Sequence, residues 1–130
     1  MEKLHTKDVD ELMRGVLTLK TVDECYRFFE DVCTVKEIVD MAQRLKTAKM
    51  LSAGHNYVEV NKKTGASSAT ISRVSKCLEY GDGGYRTVIE RLSAAEDNAA
   101  ERAKENPAAK SEAGGSGNAD GVAGEKPGNK

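Results

Sequence analysis

The sequence of 130 residues has no tryptophan and only six other aromatic residues, which limits the core a single chain can build. Its two prolines, Pro107 and Pro127, both lie late, so nothing of that kind interrupts a helix before them. No run of about 18 apolar residues occurs, which excludes a membrane-spanning helix. The first residues, Met1 to His5, lack the basic and apolar blocks of a signal peptide, and a cytoplasmic protein is expected. Three cysteines (Cys25, Cys33, Cys77) at wide spacing, without a CxxC pair, speak against a disulfide framework and against a zinc site; no metal is expected. There is little net charge: 20 Lys and Arg stand against 21 Asp and Glu, so the whole molecule offers no electrostatic case for nucleic acid. His5 and His55 have no evident nucleophile or carboxylate partner, and no phosphate loop or paired-acid motif is present, which speaks against an enzyme.

Composition breaks near residue 93. From Ala94 to Lys130 the only large apolar residue is Val122, and both prolines and six of the twelve glycines lie there. Such a segment cannot bury enough surface to offset its ordering entropy, which predicts a disordered tail over 94–130 behind a domain of residues 1–93. The Ala/Glu/Arg/Lys-rich start of the tail, Ala94 to Glu105, can extend the last helix until Pro107 stops it.

Within residues 1–93 the apolar positions recur at helical spacing and no strict alternation marks a strand, which predicts an all-α fold of six helices. Thr6 can cap a helix carrying Val9, Leu12, Met13, Val16 and Leu17. Thr21 with Glu24, and Thr34 with Glu37, read as capping boxes. The second helix repeats the stripe at Val22, Cys25, Tyr26, Phe29, Val32 and Cys33; both stripes read as core, with the cysteines as small buried apolar groups. The third helix places Ile38, Ala42, Leu45 and Ala48 on one side and ends near Ala53 and Gly54. Several stripes are wider than one chain of this size can cover, so a homodimer is expected to supply the missing burial.

The chemistry is concentrated between Asn56 and Lys76. Asn56 can cap a helix too short to be stable alone, Gly65 can supply the positive φ of a tight break, and Ser67 or Ser68 can cap the next helix. Val60, Ala66, Ile71 and Val74 then fall where the two helices of a helix-turn-helix pack. Ser68, Ser72 and Lys76 form a stripe of small hydroxyls and one cation suited to a major groove, while Thr70, Arg73 and Cys77 form another. Charge supports this division, since residues 1–40 hold six basic and ten acidic side chains whereas residues 41–80 hold seven basic and two acidic. A basic half can release counterions from DNA inside a neutral protein. Lys62, Lys63, Ser67, Ser68, Ser72 and Lys76 are the candidate DNA contacts, the lysines positioning and the serines reading. Beyond the second helix, Gly81 and Asp82-Gly83-Gly84 make a joint at which the reading unit can pivot relative to the core, ahead of a last amphipathic helix with Tyr85, Val88, Ile89 and Leu92.

The string Gly65 to Arg73 (GASSATISR), preceded by Met50-Leu51-Ser52-Ala53-Gly54, resembles the tryptophan repressor family, and within it the TrpR-like YerC/YecD group, over about residues 7 to 92. The resemblance implies an intertwined all-helical homodimer whose two heads enter successive major grooves of a palindromic operator. It also implies a corepressor pocket at Thr34, Arg44, Thr70 and Arg73, two arginines sandwiching an amino acid with threonines nearby. Two departures speak against tryptophan as ligand: Val74 stands where the repressor has a glycine lying against the indole, and Cys77 where it has the serine holding the amino group. Thr34 is equally explained as an N-cap and Arg73 as a phosphate contact, so the residues allow a pocket for a small amino-acid-like anion or none. The reading that results is a sequence-specific DNA-binding transcriptional repressor acting as a homodimer on double-stranded DNA, with no cofactor beyond a candidate corepressor. The alternative is a helical protein-interaction module without specific DNA readout.

Overall fold

The computed structural model describes residues 2–105, which form a short 3-10 turn (Glu2–Leu4) and six α-helices: α1 Lys7–Leu17, α2 Val22–Val32, α3 Val35–Ser52, α4 Tyr57–Thr64, α5 Ser68–Tyr80 and α6 Gly84–Glu105. Among the described residues there is no strand, and no helix is long and apolar enough to cross a membrane. The all-α expectation of six helices therefore holds. The last helix continues through the Ala-rich segment to Glu105, and the rest of the expected disordered tail lies outside the described residues.

The helix starts are local chemistry. The Thr6 hydroxyl accepts from the Val9 N–H at 3.2 Å, and Thr34 with Glu37 makes a reciprocal capping box at 3.1 and 2.8 Å. Thr21 caps α2 through the Glu24 N–H at 3.1 Å, but the Glu24 carboxylate accepts from the Lys20 N–H at 2.8 Å rather than from the cap residue itself. Exposed pairs one turn apart, Arg27 with Asp23 and Lys36 with Asp40, decorate the outer faces. The Asp23 carboxylate bonded to Arg27 holds that guanidinium above its ordinary pKa.

Residues up to Gly81 form one compact unit, and α6 belongs to a second. In the first unit α3 is the organising element: it packs most extensively on α5, then on α4, and more lightly on α2. The stripes of α1 and α2 do not form a core within the chain. No residue of either helix is buried; Leu17 remains 83% and Val22 73% exposed. Cys25 and Cys33 are only half-buried. The reason is geometric: an amphipathic face is removed from water only by an opposing surface, and the contact of α2 with α3 is limited. An open apolar groove of about 330 Å³, lined by Val22, Cys25, Tyr26, Phe29, Ile38 and Met41, is left between α2 and α3.

Candidate nucleic-acid interface

The head is built from α4, the turn at Gly65 and α5. Asn56 and Glu59 cap α4 reciprocally, each backbone N–H donating to the other's side-chain oxygen at 3.0 Å. The Glu59 carboxylate also meets His55 Nδ1 at 3.3 Å. The Asn56 N–H, and after it His55 and the Lys63 charge, hold Glu59 below the usual carboxylate pKa.

Eight residues are too few for a stable helix alone, so α4 depends on its neighbours. Gly65 terminates it in the left-handed region at φ +74°, with its N–H on the Asn61 carbonyl at 2.9 Å. Side chains then tie the turn together. Asn61 Nδ2 donates to the Ala66 carbonyl at 2.8 Å, and the Thr64 hydroxyl donates to the Val60 carbonyl at 2.7 Å while accepting from the Ala66 N–H at 3.0 Å. From α3, Gln43 Nε2 donates to the Thr64 carbonyl at 3.1 Å and Lys46 Nζ to the Lys63 carbonyl at 3.4 Å. These bonds satisfy carbonyls that the end of a helix leaves open.

Beneath this polar frame lies the core of the described chain. Val60, Ala66 and Ile71 are at most 1% exposed and cluster together, with Met50 and Leu51 of α3 packed against them. Val74 of α5 and Thr47 and Ala48 of α3 are also buried, the Thr47 hydroxyl satisfied by the Gln43 carbonyl at 2.8 Å. The four packing positions read from the sequence, Val60, Ala66, Ile71 and Val74, are all buried here.

With Ile71 and Val74 turned inward, α5 presents Ser68, Ala69, Ser72, Arg73, Lys76 and Cys77 outward. Lys62 and Lys63 are exposed in the last turn of α4. Ser67 is the N-cap of α5: its oxygen accepts from the Thr70 N–H at 3.2 Å and its hydroxyl lies 3.1 Å from that of Thr70. It is thus the most constrained of the six candidate DNA contacts, while Lys62, Lys63, Ser68, Ser72 and Lys76 are exposed. A groove of about 350 Å³ between α4 and α5, lined by Tyr57, Val58, Asn61, Ser68 and Ile71, opens beside Ser68.

The four residues of the candidate ligand pocket are placed differently. The Thr34 hydroxyl accepts from the Glu37 N–H, and Thr70 is engaged with Ser67. Arg44 follows Thr34 by ten residues, about 15 Å along the axis at the rise of an α-helix. Arg44 lines a groove with Val32, Cys33, Glu37, Asp40 and Met41, whereas Arg73 stands exposed on α5. Sequence reading overlooked Gln43, Lys46, Asn61 and Thr64 as positioning residues. Asn61 and Thr64 lie within five residues of the Gly65 turn and carry side chains that bond nearby backbone, a signal present in the sequence. Gln43 and Lys46 act across 21 and 17 residues, and nothing local marks them. No group of three or more potential metal ligands occurs among the described residues.

Comparison with known proteins agrees with this geometry. The chain is 47% identical over 96 residues to the uncharacterized protein YerC of Bacillus subtilis (strain 168), covering 74% of this chain and 92% of that one. The solved structure of a TrpR-like protein from Eubacterium eligens ATCC 27750 superposes with a TM-score of 0.69 at 50% identity, over 72% of this chain and 96% of the other. A solved structure from Staphylococcus aureus gives 0.69 at 44% identity, over 71% and 92%. With residues 7–93 matching the Trp repressor protein family across both the α1–α3 scaffold and the head, the chain belongs to that family.

Proposed function

We propose that this protein is a sequence-specific DNA-binding transcriptional repressor that acts as a homodimer on a palindromic operator. The observation that carries the reading is the outward face of α5: Ser68, Ser72 and Lys76 stand exposed on a helix whose inner face is anchored by Ile71 and Val74, with Lys62 and Lys63 beside it. A helix so presented fits a major groove, whose width admits it. Lys62, Lys63, Lys76 and Arg73 contact phosphate, Ser67 keeps the start of α5 in shape, and Ser68 and Ser72 reach base edges.

The dimer is supported by the apolar surface of α1, α2 and the first half of α3. Leu17, Val22, Tyr26, Val35 and Val39 are each more than half exposed in the single chain, an accumulation of exposed large apolar side chains on three successive helices that favours association. A second copy supplies what these faces lack. Two-fold pairing then presents two heads, and the operator carries matching half-sites.

The test is selection of bound fragments from random duplexes, followed by salt titration on the winner. Lys76→Ala weakens binding to every duplex and lowers the salt slope by about one, whereas Ser72→Ala changes preference at one base pair by about 1–3 kcal/mol. Equal affinity of the wild type for all duplexes at moderate salt rejects specific readout and favours the interaction module.

A further inference from the structure

We infer that the joint between α3 and the reading head is filled by the chain's own side chains, Val74 foremost, so that the head keeps one orientation without a small-molecule effector. The inference rests on the DNA reading above and concerns the regulation of that same site.

Every buried side chain among the described residues belongs to this joint: Thr47 and Ala48 from α3, Val60 from α4, Ala66 from the turn, Ile71 and Val74 from α5. The α3–α5 contact is the most extensive in the chain. Val74 is 1% exposed, and a β-branched side chain in a helix is confined to one dominant rotamer. It is therefore a stiff wedge in a close-packed place, and a ligand ring could enter only by displacing it. On the polar side, Gln43 and Lys46 of α3 bond the last carbonyls of α4 and so tie the head to α3. The three grooves described above lie between α2 and α3 or between α4 and α5, and Val74 lines none of them. A ligand shifts a head only as far as it binds one orientation better than another, and a joint already filled leaves it little difference to act on.

The test uses the full chain, unfolded in guanidinium and refolded in buffer free of amino acids to strip any bound molecule. Hydrogen exchange is read with and without a mixture of the twenty amino acids. The expected result is protection of α4 and α5 amides within about tenfold of the second half of α3, unchanged by the mixture. Head amides exchanging a hundredfold faster than those of α3, or gaining protection only with the mixture, overturn the inference. Val74→Ala leaves a cavity and raises exchange in α5 about tenfold or more; should this variant fail to fold, the wild-type comparison decides alone. In parallel, binding to the selected duplex within twofold with and without the mixture supports the filled joint, and a tenfold tightening by the mixture overturns it. A protected head for which no duplex is enriched upholds the joint and rejects the DNA reading, so the two failures are told apart.

Discussion

The two ends of α3 meet very different partners. Its second half, with Thr47 and Ala48, is sealed against a head whose Val60, Ile71 and Val74 have almost no exposed surface. Its first half carries Val35 and Val39 largely in water, beside the open faces of α1 and α2. The more strongly amphipathic helices, α1 and α2, thus leave their apolar faces open, while the less amphipathic α4 and α5 bury theirs. The head finds its opposing surface within the chain, whereas the apolar faces of α1 and α2 stay largely exposed in it. In the homodimer proposed above, assembly and reading would be coupled loosely: the head takes its shape within each chain, and pairing would set the distance between two heads.

That contrast can be broken at either end. The largest effect is expected from Phe29→Asp, in the α2–α3 groove, which places an unpaired carboxylate where the second copy would exclude water. It costs the dimer about 3–5 kcal/mol, read by sedimentation as dissociation at concentrations where the wild type stays paired. On the other side, Ile71→Ala removes the centre of the head cluster and lowers stability by about 2–5 kcal/mol in denaturant titration, abolishing duplex binding. Gly65→Ala puts a side chain at φ +74° and costs about 1–2 kcal/mol; no clash adds to this, since the nearest atom to the new Cβ is Gln43 Nε2 at 3.9 Å. Gly81→Ala is disfavoured for another reason. Its Cβ would lie 2.5 Å from the Cys77 carbonyl oxygen, so the end of α5 must shift, and melting temperature should fall while Gly84→Ala, with open space around it, leaves it unchanged.

The smallest effect is pH-dependent. Because Glu59 is held below the usual carboxylate pKa when folded, its contribution to the head is complete above the unfolded carboxylate value and is lost as pH falls through the folded one. Acid titration of the melting temperature should show this loss in the wild type and not in Glu59→Gln, while Asp8→Asn keeps it.

Local chemistry made much of the head legible beforehand. Asn56, Gly65, Ser67 and Thr34 occupy the caps and the turn expected of them, because a cap is decided by three or four consecutive residues. Gly81 closes α5 as expected, although at φ −84° rather than in the left-handed region, which Gly83 takes instead. The expected pivot of the head at Asp82 to Gly84 is located differently: the head is packed on α3 inside the unit that ends at Gly81, so this joint connects α5 to α6. Gln43 and Lys46 stayed invisible because their acceptors are carbonyls far along the chain, which no residue pattern announces. The Arg44 groove was equally unreadable, since Val32 and Cys33 at the end of α2 form part of its wall.

The sequence by itself determined the six helices, most of their ends and the inward set Val60, Ala66, Ile71 and Val74, because periodicity and capping are short-range properties. Only the tertiary structure decided which apolar stripe would be buried within one chain. A stripe states that a face prefers to leave water, but burial requires a second surface, and α3 offers an extensive one to the head and only a limited one to α2.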